Sequence, residues 1–184
     1  MAQFIKMDDR RKMSESETHV YFVGGPFSQW HRSQLDAELP SAIFKKKHKF
    51  NCAEQYMMAC KACVFEDYDA LLRVMQEMDP SQQKLIGRSI ENYVDDDWRH
   101  VARELVYLGN MAKFSQNADL GEELRATGNK IIVEGAWYDA VWGVKLAYND
   151  PLILDSANWQ GTNWLGEVLM RVRQDLFGLE AAQV

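Results

Sequence analysis

Cysteine is scarce. The chain of 184 residues has three, Cys52, Cys60 and Cys63, crowded into one short stretch. An odd number of thiols on one predicted helix excludes a disulfide framework. A zinc site would need a second pair of ligands, and none appears. The thiols therefore read as reduced and half-buried in a cytoplasmic protein, with neither metal nor cofactor expected. Long apolar runs are missing as well. No segment approaches the roughly 20 residues of a membrane span, and Met1 to Thr18 is polar and lacks the apolar centre of a secretory signal, so no membrane partner is expected. Positive charge is in deficit: 21 Lys and Arg against 27 Asp and Glu give a net charge of −6. That balance argues against a broad basic face for generic nucleic-acid binding but leaves room for a local cationic pocket. Internal repeats and low-complexity tracts are absent.

What is present is ordinary for a soluble globular protein, 47% hydrophobic and 26% charged residues in a chain long enough for a sizeable core. The expected organisation is a flexible lead-in over residues 1–18, one domain over 19–178 and a short tail over 179–184. The stretch Asn51-Cys-Ala-Glu-Gln-Tyr-Met-Met-Ala-Cys-Lys-Ala62 reads as the opening of a helix. Asn51 suits the N-cap, and Glu54 stands where a capping-box acid belongs. Glu54, Met58 and Lys61 share one face over two turns. An acid and an amine on one face, with sulfur and aromatic groups between, permit two readings. Glu54 is either a cap or a catalytic acid, and Lys61 is either a solvated stem or a working amine.

Other segments follow local rules. Val20–Val23, Ile43–Phe44 and Ile131–Val133 are predicted as short strands, with a basic turn at Lys45–His48. Helical stretches are predicted over Phe65–Met78, after Asp79-Pro80, from Asp95 to Lys113, up to Thr127, and from Asn163 towards Gly178. Gly87 inside a helix predicts the close approach of a neighbour, because Gly there costs ~1 kcal/mol against Ala. The stripe Trp98, Ala102, Leu105, Gly109 and Ala112 predicts a core face, and the helices are expected to pack around it. Glu134 and Asp139 with two tryptophans follow a strand end, where functional loops commonly sit. The irregular segment from Tyr148 to Gly161 has the length of a lid or a specificity loop.

Taken in order, these fragments resemble the NADAR, or YbiA-like, family. The matching pieces are Phe27-Ser28 with an aromatic after it, Glu54-Gln-Tyr with Lys61, Gly87-Arg88, Trp98, Lys113-Phe114, Val133-Glu134, Asp139 with Trp142-Gly143, and the run Asn163 to Arg173. They span Phe22 to about Leu176. The resemblance implies a mainly α, compact multihelical domain with a small β element. It also implies an enzyme that hydrolyses N-glycosidic bonds to ribose, acting on a ribosylamino-pyrimidine phosphate of the riboflavin pathway or on ADP-ribose attached to guanine. The partners implied are a ribosyl phosphate, NAD or an ADP-ribose type small molecule, or ADP-ribosylated nucleic acid. Gln29 departs from the Asn of many members, and Lys45–His48 and Val144–Tyr148 also diverge.

Breaking an N-ribosyl bond builds positive charge on the anomeric carbon and negative charge on the departing nitrogen. One carboxylate can steady the first or activate water while a second acid protonates the nitrogen. Glu54 and Asp139 are assigned to the sugar and Glu134 to orienting it. Trp98 and Trp142 offer flat faces to a base or ribose. Arg88, Lys61 and Lys113 can neutralise phosphate. Phe27, Ser28 and Asn163 complete the expected binding set. A second route fits ribosyl groups on an exocyclic amine, where Lys61 with a lowered pKa takes over the sugar as a Schiff base. The alternative function is a non-catalytic NAD or ADP-ribose sensor that uses the same residues without turnover.

Overall fold

The structure is a computed structural model and describes residues 2–182; residue 1 of the expected lead-in and residues 183–184 of the expected tail lie outside the described residues. Six α-helices and two small sheets are present among the described residues, so the fold is mainly α with a small β element. The chain divides into two compact units, one of Gln29–Ala118 and the other of Met1–Ser28 with Asp119–Val184.

The unit of residues 29–118 is built on a helix. β4 (Leu35–Glu38) and β5 (Lys47–Phe50) form an antiparallel pair that precedes α1 (Ala53–Val64), α2 (Tyr68–Gln76), α3 (Pro80–Arg88) and α4 (Asp95–Gln116). The expected strand at Ile43–Phe44 is not formed. The pairing uses residues on either side of it, because β5 alternates: Phe50 turns inward while Lys47 and Lys49 stand opposite Glu38 and Asp36. α1 rather than the Trp98 helix is the hub. α2, α3 and α4 each pack on it, and all its residues but Lys61 and Val64 are buried. A helix covered on nearly every side needs small residues and sulfur more than a polar face. Gly87 on α3 admits Met58 of α1, whose sulfur would lie 2.0 Å from a Cβ at that position. Asp79 caps α3 as expected, accepting from the Ser81 amide at 2.7 Å with Pro80 in the first turn.

The second unit is built on a sheet. β1 (Lys6–Asp8), β2 (Met13–Glu15) and β3 (His19–Phe22) form an antiparallel meander, and β6 (Ile131–Glu134) adds to β3 in parallel. Two of these strands lie inside the stretch read from sequence as a flexible lead-in. Despite its polar composition it buries Met13, Ser14 and Ser16, and Glu15 is clamped by Lys6 at 3.1 Å and Lys130 at 2.9 Å. α5 (Ala118–Arg125) leads into β6, and α6 (Trp164–Phe177) packs on it. Gly166 is what lets α6 close on the strand, since a Cβ there would come within 2.1 Å of the Ile132 carbonyl. Tyr21, Val133, Val144 and Ile153 form the centre of this core. The segment after Tyr148 is locally ordered: Ile153 is buried, Asp150 and Asp155 cap two short 3₁₀ turns, and the Trp159 indole donates to the Ile153 carbonyl at 2.9 Å.

Candidate active site

Glu54 lies in the first turn of α1 and is only 4% exposed. It is not the capping residue. The helix starts at Ala53, and the side chain that reaches back is that of Gln55, whose Oε1 accepts the Asn51 amide at 2.7 Å. Gln55 also donates to the carbonyls of Val74 and Glu77, at 2.9 and 3.1 Å. Asn51 turns away from α1 and accepts from Gln83 at 3.1 Å. Glu54 is therefore a buried carboxylate whose position is not explained by a capping box. Buried ionisable groups are enriched at functional sites, which makes Glu54 a candidate.

Two turns further on, Lys61 leaves the same helix. Its Nζ donates to the Gly87 carbonyl at 2.8 Å, lies 4.0 Å from the centre of the Tyr93 ring and 5.9 Å from that of Trp98. Burial pushes this amine below the ordinary lysine range. Asp95 and Glu54 pull it back up, and Arg88 pushes it further down. Glu54, Lys61, Arg88 and Trp98 thus belong to one unit and act on one another electrostatically or by contact around Lys61. Arg88 ends α3 with its side chain exposed, and Trp98, 7% exposed, sits in the first turn of α4.

Lys113 is different. It is fully buried near the end of α4, its Nζ 5.0 Å from the Phe114 ring, and burial lowers its pKa to about 7. A side chain so enclosed offers no surface to a phosphate, which departs from the role expected for it.

The remaining candidates belong to the other unit. Asp139 organises the loop after β6: its Oδ1 accepts the amides of Val141 and Trp142 at 2.9 and 2.8 Å, and its own amide donates to the Ala136 carbonyl at 3.1 Å. The loop is closed at its base by the Val144 amide on the Glu134 carbonyl, at 3.0 Å. Trp142 is half-buried, edge-on to Trp164 at 5.7 Å. Glu134 is half-buried, and its amide donates to Asn163 Oδ1 at 2.9 Å. The other end of the Asn163 amide donates to the Ile132 carbonyl at 2.9 Å, so Asn163, in the left-handed region at φ 53°, is committed to the backbone of β6. Phe27 is buried edge-on to Phe22 at 5.7 Å, with Ser28 half-buried beside it. A cavity of about 200 Å³ in this unit is bounded by Lys6, Arg11, Glu15, Glu123 and Thr127 among others; of the site residues named from sequence it touches only Phe27. No group of three or more His, Cys, Asp or Glu able to hold a metal occurs among the described residues.

Sequence reasoning missed three participants. Tyr93 lies in a loop where no periodicity marks it, Asp95 reads as a simple helix-dipole acid, and Trp164 reads as the start of α6.

The NADAR domain family model matches residues 19–177. The chain belongs to the NADAR domain family. It is 34% identical over 169 residues to an N-glycosidase of Acanthamoeba polyphaga mimivirus, covering 88% of this chain and 98% of that one. It is 30% identical over 124 residues to a riboflavin biosynthesis protein of Vibrio vulnificus, covering 67% of this chain and 30% of that longer one. The NMR structure of the E. coli protein YbiA shares the fold, with a TM-score of 0.67, 23% identity and coverage of 91% of this chain and 89% of that one. No helix among the described residues is long and apolar enough to cross a membrane.

Proposed function

We propose that this NADAR protein hydrolyses the N-glycosidic bond between ribose and a base or amine. The observation that carries the reading is the buried carboxylate of Glu54 on the same helix as the Lys61 amine, which lies over the Tyr93 ring and within 5.9 Å of the centre of Trp98. The N-glycosidase name of the mimivirus relative supports it. The substrate class is a ribosylamino-pyrimidine phosphate, in line with the name of the Vibrio relative, or ADP-ribose attached to a guanine base.

In this reaction Glu54 steadies the positive charge that grows on the anomeric carbon, a task that needs an ionised carboxylate aimed at the sugar. Asp139 is the second acid, with Oδ1 committed to the loop amides and Oδ2 left to act on water or the leaving nitrogen. Lys61 acts in one of two ways, as a cation for phosphate or as the amine that takes over a ring-opened sugar. Its lowered pKa favours the second. Arg88 is the exposed guanidinium suited to a bidentate grip on phosphate. Trp98 and Trp142 supply ring faces, Glu134 and Asn163 orient the Asp139 loop through β6, and Phe27 and Ser28 complete the binding set.

The deciding experiment is Glu54→Gln. With free base measured from a panel of N-ribosides, turnover falls at least ~100-fold while the circular dichroism spectrum is unchanged. Full activity in that protein ends the proposal.

A further inference from the structure

The loop of residues 89–94 joins α3 to α4, and its Tyr93 belongs to none of the motifs that carry the family resemblance. Yet Tyr93 is the closest ring to the Lys61 amine. The ammonium has three N–H groups. One goes to the Gly87 carbonyl at 2.8 Å, and the Tyr93 ring centre stands 4.0 Å from Nζ, well inside the range of a cation–π contact. The ring itself is held on two sides. Its hydroxyl donates to Asp95 Oδ1 at 2.8 Å, and its edge packs against Phe65 at 5.2 Å between ring centres. Asp95 is fixed in turn by the Arg99 guanidinium on Oδ2 at 2.5 Å. Burial and the Asp95 bond push the phenol up to about 12, so it stays neutral and keeps donating through the working pH range. Tyr93 is 39% exposed, so its free ring surface meets solvent while the Lys61 side is covered.

We infer that Tyr93 is a positioning residue for Lys61: its ring face fixes the amine against the Gly87 carbonyl and holds part of its charge. The inference rests on Lys61 acting on the ribosyl substrate, and adds what keeps that amine in place. The charged groups facing the amine are Asp95 on α4, Glu54 on α1 and Arg88 on α3; the acids favour the ammonium, while Arg88 and burial oppose it. The ring adds to the acids, because its negative face attracts the ammonium and not the neutral amine. Removing the ring therefore lowers the pH at which Lys61 loses its proton. A better aromatic face raises it.

The test is competitive acetylation with acetic anhydride across pH, with the modified Lys61 peptide quantified by mass spectrometry. Tyr93→Leu shifts the midpoint of Lys61 labelling down by about half a pH unit, the size expected of a partly exposed cation–π contact. Tyr93→Trp shifts it up, and Tyr93→Phe, which keeps a ring but loses the Asp95 bond, falls between Leu and wild type. A residue that merely covered the end of α1 would not move the midpoint in opposite directions. Equal midpoints in the Leu and Trp proteins, with unchanged circular dichroism, overturn the inference. Labelling is read without turnover, so it stands or falls apart from the catalytic reading. That reading fails by a different result, full turnover in Lys61→Met.

Discussion

Two lysines of one unit show how surroundings set chemistry at the scale of a residue. Lys61 is partly buried but meets a carbonyl, two ring faces and two acids, whereas Lys113 is enclosed completely and its pKa falls to about 7. A lysine whose folded pKa lies below the unfolded value of 10.5 opposes folding at every pH where the unfolded chain holds the proton. Between about pH 7 and 10.5 that cost fades as pH rises, so stability climbs; below pH 7 it is present in full. The difference in stability between wild type and Lys113→Met should therefore change with a slope of up to ~1.4 kcal/mol per pH unit in that window, wild type gaining as pH rises. Urea melts at a series of pH values measure it. A difference independent of pH would mean that Lys113 titrates normally. The same scale explains the capping of α1. Glu54 and Gln55 are adjacent, and because the helix starts at Ala53 it is Gln55 that stands third, where its side chain accepts from the Asn51 amide and donates to the carbonyls of Val74 and Glu77.

At the scale of elements, the contact of α1 with α3 is the most exposed to test. Gly87 faces Met58 so closely that a Cβ would overlap the sulfur, and its carbonyl is also the acceptor for Lys61. Methionine is flexible and can yield, but its β and γ carbons lie at 3.4 and 2.9 Å from the same point, so α3 must move too. Gly87→Ala should cost ~1–3 kcal/mol of stability by overpacking. It should also impair turnover beyond what the loss of fold explains, since the Lys61 acceptor shifts with the helix. Thermal denaturation and kcat measured on the same protein separate these effects; unchanged values for both would show that the two helices have slack.

For the whole molecule, the question is whether the assembled residues bind a ribosyl ligand at all. Wild type at a ligand concentration a hundred times the Kd should gain about 2.7 kcal/mol of stability, seen as a rise in melting temperature with ribose 5-phosphate or ADP-ribose. A binding sensor would show the rise without release of base, and an enzyme would show both. No rise with either compound at millimolar concentration would leave the aromatic and cationic residues with packing roles alone.

The mainly helical character, the start of α3, the ends of α6, the strands at Val20 and Ile131 and the family itself were legible in the sequence, because capping residues, β-branched runs and motif spacing act over a few neighbours. The pairing of β1 with β2 was not, since a polar hairpin carries little hydrophobic pattern and becomes a strand pair by gaining a sheet to join. Glu54 and Lys61 were found by their shared helical face. Only the tertiary structure decided that Gln55 and not Glu54 reaches back to the Asn51 amide, that Lys113 is sealed inside, and that Tyr93 lies against Lys61. The last two depend on enclosure by several elements or on a partner from another element, and local spacing contains neither; the first depends on where α1 starts, which local spacing misplaced by one residue.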